Sequence, residues 1–357
     1  MRDPFRPLHM HDSTGDPPRY IPYPATLPAG RHHLPRAKAL IIEKAWRTLR
    51  QLPPWEAYRL VHSTPQWVSK LQALLDGRPT YEAPVRFLGY NLDNPVGLAA
   101  GLDKDARLTW TSWSIGFGFT VVGSVLPYPH RGASVKVLER LPDGALVNRL
   151  GLPSEGARRV AWRLELSRPP FPIAVNIAGL EPSDYPRVAR ATCHVADWFE
   201  VNISCPNTRE HSTFEDPRQA RRILRITRES ACGKPLLLKI PPTRDPDLIA
   251  EYAVAVREAG ADGVVASNTL KTRVNGVQAG LSGPPLYPTV RFMVERLREL
   301  LPGDKVVVAV GGVDSPGKAL ELLEHASLVE VLTVLLYHGP GRVREILEGV
   351  SKAMARR

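Results

Sequence analysis

Three cysteines in 357 residues, Cys193, Cys205 and Cys232, are few, odd in number and without any CxxC-like spacing. That pattern speaks against a disulfide framework and against a zinc site, so a reducing compartment is expected. The chain also lacks any run of 18 or more uninterrupted apolar residues, and its N-terminus has no apolar stretch followed by a small-residue cleavage site. A membrane-spanning helix and a secretory leader are therefore not expected, which leaves a cytosolic or surface-attached protein. Acidic residues are in deficit, with a net charge of +11. The excess is local: residues 36–75 hold seven basic side chains (Arg36, Lys38, Lys44, Arg47, Arg50, Arg59 and Lys70) against Glu43 and Glu56. Such a surface fits nucleic acid, anionic lipid or a solvated helix face.

What the chain does have is repetition. Eight short apolar, β-branched runs recur: PVGLAA ending at Ala100, FTVVGS at Ser124, PIAVNI at Ile177, WFEVNIS at Ser204, PLLLKI at Ile240, DGVVAS at Ser267, KVVVAVGG at Gly312 and LVEVLTV at Val334. Runs without alternation read as strands buried on both faces. Helical stretches separate them, such as DPDLIAEYAVAVREAG and SPGKALELLEHA, opened by the N-cap residues Asp245 and Ser315. Eight such alternations predict an α/β fold, a closed (β/α)8 TIM barrel over residues 89–357, with polar strand ends gathered at one mouth.

Two other segments precede it. Residues 1–35 are rich in proline and show no period, which predicts a mobile or extended arm, and His9, His11, His32 and His33 lack metal-ligand spacing. Residues 36–88 read as a helical extension. ALIIEKAWRTLRQ puts Leu40, Ile41, Ala45, Trp46 and Leu49 on one side, PWEAYRLVH opens with Pro54, and TPQWVSKLQALL repeats the plan with Trp67, Val68, Leu71 and Leu75. Basic amphipathic helices edged by Trp and Tyr suit a membrane interface, and packing against the barrel accounts for the apolar faces equally well.

Chemistry-bearing residues cluster at the strand ends. VNISCPNT, residues 201–208, crowds Asn202, Asn207, Cys205 and Thr208 after one strand; the amides suit a planar ligand with ring carbonyls and N–H groups, and a thiol of lowered pKa can move a proton. Turn-making alone would also explain Asn and Pro there. Lys104 follows a small-residue turn in GLAAGLDKD, and Lys239 lies inside an apolar strand, where an ammonium needs an anionic partner. Asn148, Arg149, Asn176 and Asn268 occupy related positions. GLSG (280–283) and VGGVDS (310–315) carry glycines suited to cradle a phosphate, and in barrels that site lies after the last two strands, here Gly311, Gly312, Leu332 and Thr333.

NPVGLAAGLDKD, VNRLG, VNISCPNT, the lysine of LLLKI, SNT, GLSG and VGGVDS, in that order over nearly the whole barrel, resemble the dihydroorotate dehydrogenase family, most closely its class 2, quinone-linked branch. The resemblance implies FMN held by Ala100, Gly101, Lys104, Ser124, Asn176, Asn202, Lys239, Ser267, Gly283, Gly311, Gly312, Leu332 and Thr333. It implies a dihydroorotate site of Lys104, Asn148, Arg149, Gly151, Leu152, Asn202, Asn207, Asn268 and Thr269. Cys205 would be the base, supported by Lys104, Lys239 and Thr208, with no metal. The helical extension would admit a membrane quinone at the cytoplasmic face of the cell membrane, and no nucleic-acid partner is expected. Departures from the family are Cys205 where class 2 carries Ser, Leu152 and Pro153 where it reads Phe-Asn, Val137 where an arginine stands near the quinone mouth, and Leu332 to Val334 in place of Tyr-Ser-Gly. A soluble enzyme that uses fumarate or a partner protein, and a non-catalytic basic barrel that binds nucleic acid or lipid, are the competing readings.

Overall fold

The computed structural model describes residues 40–135, 137–204 and 214–356. The arm at 1–35 and the site residues Cys205, Asn207 and Thr208 lie outside the described residues. Helices α1 (Leu40–Gln51), α2 (Pro54–Ser63) and α3 (Gln66–Asp76) lead into an antiparallel hairpin of β1 (Val85–Phe87) and β2 (Tyr90–Leu92). All eight expected runs then form strands: β3 (Val96–Leu98), β4 (Phe119–Val125), β7 (Ile173–Ile177), β8 (Trp198–Asn202), β9 (Leu236–Ile240), β10 (Gly263–Ala266), β13 (Val306–Val310) and β14 (Leu328–Val331). They close into one parallel barrel in chain order, β14 pairing back onto β3.

Helices cover the outside: α4 (Thr109–Ile115), α5 (Ala157–Leu166), α6 (Asp184–Thr192), α7 (Pro217–Arg228), α8 (Pro246–Glu258), α9 (Tyr287–Leu300), α10 (Pro316–Leu322), α11 (Thr333–His338) and α12 (Pro340–Met354). Local chemistry starts them where expected. Asp245 Oδ1 accepts from the Asp247 and Leu248 amides at 3.0 and 3.3 Å, and Ser315 Oγ accepts from the Lys318 amide at 3.4 Å, so each satisfies a donor that the first turn leaves unpaired.

Burial on both strand faces produces two apolar layers. The larger lies between strands and helices; the smaller fills the barrel, where Phe119, Val121, Trp198, Leu237, Val265, Val308 and Leu328 pack with Phe87 and Leu92 of the hairpin. The hairpin thus plugs the end of the barrel from which the strands start, and an expected boundary at 88/89 falls in its turn. The opposite end carries a feature the periodicity did not reveal. There β5 (Val137–Arg140), β6 (Leu146–Arg149), β11 (Leu270–Val274) and β12 (Val277–Ser282) form an antiparallel sheet in the order β11-β12-β6-β5.

Two expectations are corrected. Cys193 and Cys232 form a disulfide, with Cα atoms 5.9 Å apart. An odd count leaves room for one pair, and the packing of α6 beside α7 brings their C-terminal ends together, so the expectation of fully reduced cysteines does not hold. The bridge closes the stretch that contains β8 and Cys205. The apolar side of α1 is also turned: Ile42 and Trp46 are buried while Ile41 is 49% exposed and Ala45 faces outward.

Candidate active site

One cavity of about 1750 Å³, counting its open mouth, occupies the C-terminal end of the barrel and continues outward to α1 and α2. Its walls include Ala100, Gly101, Lys104, Ser124, Asn176, Asn202, Lys239, Ser267, Gly283, Gly311, Gly312, Leu332 and Thr333, which are all of the expected cofactor residues. Asn148, Gly151, Leu152, Asn268 and Thr269 of the expected substrate set line it too. Arg149 does not. Leu146 and Asn148 point into the cavity, strand alternation sends the next side chain the other way, and the Arg149 guanidinium donates to the Val135 carbonyl at 2.5 Å.

The amides form a connected frame. Asn202 donates from Nδ2 to Ser124 Oγ at 3.1 Å and accepts at Oδ1 from the Ser204 amide and from Asn268 Nδ2, each at 3.1 Å. Asn268 Nδ2 also reaches the Ser204 carbonyl and hydroxyl. Ser204, the residue before Cys205, is therefore pinned across β8 and β10. Behind it, the Tyr185 hydroxyl donates to the Asn202 carbonyl at 2.9 Å.

Lys104 is buried between two acids. Asp103 accepts from the Arg107 and Leu108 amides at 2.8 and 3.0 Å, yet burial dominates and pushes its carboxyl up to about 7. Burial raises Asp105 as well; its Oδ1 accepts from the Glu155 amide, and Glu155 in turn pairs with Arg107 and Arg163. This network fixes the turn that presents Lys104 to the cavity.

The anionic partner required by Lys239 is a pair of acids absent from the sequence expectation. Lys239 Nζ lies 3.1 Å from Glu200 Oε2 and 3.5 Å from Glu330 Oε2, and Asn176 Nδ2 donates to Glu200 Oε2 at 2.9 Å. All are buried. Burial opposes ionisation of Glu200 and Lys239, but their attraction outweighs it and keeps Glu200 below and Lys239 above their ordinary values. Burial and the Glu200 charge together raise Glu330 well above the usual carboxylate range. The signal that singled out Lys239, a charge within an apolar strand, was equally present in WFEV and LVEV.

At the expected phosphate end, Gly311 and Gly312 adopt φ of +132° and +74°. A Cβ on Gly312 would sit 2.5 Å from Cβ of Tyr287, so only glycine lets this backbone turn there. Thr333 Oγ1 donates to Ser282 Oγ at 2.9 Å. The GLSG motif is corrected in part: Gly280 to Ser282 belong to β12, and only Gly283 and the Ser282 side reach the cavity.

The outer end is apolar with two arginines. Trp46, Leu49, Pro54, Ala57, Tyr58 and Val61 of α1 and α2 line it beside Leu138 and Arg140 of β5. Val137, where the family's arginine is missing, does not line it; a guanidinium arrives three residues later. Arg140 donates to the Arg50 and Leu52 carbonyls at 3.1 and 3.4 Å, and Arg50 donates to those of Tyr337 and His338 at 3.3 and 3.0 Å. Each caps a helix end while facing the cavity.

A family model described as dihydroorotate dehydrogenase matches residues 83–354. The dihydroorotate dehydrogenase (quinone) of Haloarcula marismortui is 37% identical over 291 residues, 76% of this chain and 81% of its own length. That of Thermus thermophilus is 36% identical over 309 residues, 77% and 88% of the two lengths. A ligand-free dihydroorotate dehydrogenase structure from Eimeria tenella superposes with a TM-score of 0.74 at 26% identity, covering 85% of this chain and 96% of that one. With more than three quarters of its length matched to such relatives, the chain belongs to the dihydroorotate dehydrogenase family, in its class 2 branch.

Proposed function

We propose that the protein oxidises dihydroorotate to orotate with FMN and passes the electrons to a membrane quinone. The observation that carries this reading is the single cavity that joins a polar, lysine-bearing inner end to an apolar outer end between α1 and α2. The inner end suits a flavin. Asn176 Oδ1 is buried there with no partner among the described residues and offers an acceptor for a ring N–H, and the Gly311–Gly312 turn and Thr333 suit the phosphate. When bound, FMN supplies the hydride acceptor for carbon 6 of the substrate.

The chain's own groups supply the rest. Lys104 holds the substrate carboxylate, Asn148, Asn202 and Asn268 orient the ring, and Lys239 places a fixed positive charge where negative charge develops. Cys205, the residue that follows the pinned Ser204 in the chain, removes the proton from carbon 5. A thiol, with an ordinary pKa of about 8.5, ionises far more readily than the serine hydroxyl that class 2 relatives usually carry.

The extension admits the oxidant at a membrane surface. Among the described residues no helix is long and apolar enough to cross a membrane. Instead α3 exposes Trp67, Leu71, Leu74 and Leu75, α2 exposes Leu60, and Lys44, Arg47 and Arg59 are exposed on α1 and α2, which suits peripheral binding to an anionic bilayer.

Purified protein should carry FMN and lose its yellow colour on anaerobic addition of dihydroorotate; FMN-loaded protein that stays yellow would defeat the substrate assignment. Cys205→Ala should retain FMN and bleach at least about a hundredfold more slowly, the usual share of general-base catalysis. Equal bleaching rates would remove Cys205 from the mechanism. Substrate-reduced enzyme should reoxidise faster with a short-chain ubiquinone than with fumarate.

A further inference from the structure

Two carboxyls and one ammonium meet at the inner end of the cavity, and their charges cannot all balance as drawn. Glu330 stands in β14, in register with Gly97 of β3 and Val310 of β13, neither of which titrates. From across the barrel β8 brings Glu200, β9 brings Lys239 and β7 brings the neutral Asn176. Among the described residues, the other charged or titratable walls of the cavity are Lys104, Arg50, Arg140, Asp314, Tyr58, Tyr337 and His338, from other elements. The Lys239, Glu200 and Glu330 side chains are 6%, 0% and 1% exposed. Two ionised carboxylates against one ammonium would leave an uncompensated negative charge in a dry site, and close carboxylates relieve this by sharing a proton.

Geometry decides which acid holds it. Glu200 has the nearer ammonium contact and the Asn176 amide, both of which favour its ionised form. Glu330 has the longer ammonium contact and a side-chain hydrogen bond with Glu200, in which it is the protonated partner. Glu330 also lines the cavity whereas Glu200 does not; Oε1 of each acid is buried with no hydrogen-bond partner among the described residues. It is thus the acid that a ring held in the cavity would meet.

We propose that Glu330 is a proton-linked counter-charge for the flavin, taking up one proton when the cofactor is reduced and releasing it when the cofactor is reoxidised. This rests on the flavin reading above. Hydride from carbon 6 of dihydroorotate delivers one proton and two electrons, which leaves one added negative charge beside Lys239. Where Glu330 is ionised in the oxidised enzyme, its carboxylate then forms an O–H bond with a proton drawn from water. When quinone takes the two electrons, that O–H bond breaks and the proton returns to water. The exchange occurs within a pH window bounded by the ionisation of Glu330 in the oxidised enzyme and its higher ionisation in the reduced enzyme. Below the window Glu330 is a neutral acid in both states, and above it a carboxylate in both.

The test is the midpoint potential of the FMN-loaded enzyme against pH, with dithionite as reductant so that dihydroorotate turnover plays no part. On the alkaline side the wild-type slope should double across the window, from one to two protons per two electrons, and then return. Glu330→Gln, a neutral isostere of the protonated acid, should follow the one-proton line throughout. Glu200→Gln removes the charge that helps keep Glu330 protonated, so its window should move to lower pH. Coincident wild-type and Glu330→Gln lines would overturn the proposal. Should Glu330→Gln fail to retain FMN, the infrared spectra of the wild-type and Glu330→Gln apoproteins decide: a carboxylic acid carbonyl band above neutral pH that the variant lacks is expected, and identical carbonyl regions would refute it. Absence of FMN, or FMN that dihydroorotate does not bleach, defeats the functional reading, whereas bleachable FMN with coincident lines defeats only the role of Glu330.

Discussion

Helices α1 and α3 follow the same sequence plan, a basic amphipathic stretch with one tryptophan, and the fold uses them in opposite senses. Trp46 of α1 is buried, and its indole Nε1 donates to the Leu335 carbonyl at 2.8 Å, while Ile42 and Leu49 pack beside it. On α3 the inward positions are Ser69, Ala73 and Asp76, and the large apolar residues face out, with Trp67 66% exposed. Polar bonds hold that inner side: Ser69 meets Thr111, and Asp76 accepts from the Ile42 amide and from Gln72. Amphipathicity therefore defines a stripe on a helix without saying what lies against it. The exposed stripe of α3 needs another apolar medium, which is the physical content of the membrane proposal.

The largest expected effect breaks the comparison at α1. Trp46→Ala should lower stability to urea by about 3–5 kcal/mol, through lost burial and the lost indole hydrogen bond to the Leu335 carbonyl, and should slow reoxidation by quinone. A variant as stable as wild type would show that α1 is not held by its tryptophan.

A second test lies between the two helices. His62 of α2 packs at a tilt against Tyr58 with ring centroids 4.0 Å apart, its Nε2 is buried with no hydrogen-bond partner among the described residues, and burial, then the charges of Lys104 and Arg107, lower its pKa to about 3. The unfolded chain protonates this imidazole near pH 6.5, so between those values it binds the proton that the folded state refuses. The contribution of His62 is complete above pH 6.5 and is lost as pH falls towards 3. By pH 4 the loss should be on the order of 3 kcal/mol. His62→Phe should show a flatter fall in urea midpoint over that range, and an unchanged fall would rule out His62 as its source.

The smallest stability effect belongs to α3. Trp67→Ser should stay within about 0.5 kcal/mol of wild type and yet reduce co-sedimentation with anionic lipid vesicles. A stability loss like that of Trp46→Ala would mean that the outer stripe of α3 is covered by protein, and undiminished vesicle binding would remove it from the membrane surface.

Legibility along the chain follows how local each cause is. The eight barrel strands were readable because burial on both faces leaves an uninterrupted apolar run, and the caps at Asp245 and Ser315 because they act within three residues. The need of Lys239 for an anion was readable as well. Its partners were not, since Glu200 and Glu330 lie 39 and 91 residues away and meet it only when the barrel closes. Arg149 and Ile41 show a finer limit: a motif or helical stripe brings a residue to the right neighbourhood, but strand alternation and the exact rotation of a helix decide which way it points.

Sequence alone therefore settled what depends on neighbours in the chain: the barrel, the polar strand ends, the glycine turn at 311–312 and the basic helices ahead of them. Tertiary structure alone decided the disulfide between Cys193 and Cys232, the sheet β11-β12-β6-β5 over the mouth, the cavity joining barrel to helices, and the charge balance around Lys239. The reason is that side chains distant along the chain acquire one another's charge, volume and bonding capacity only when closure of the barrel removes the water between them.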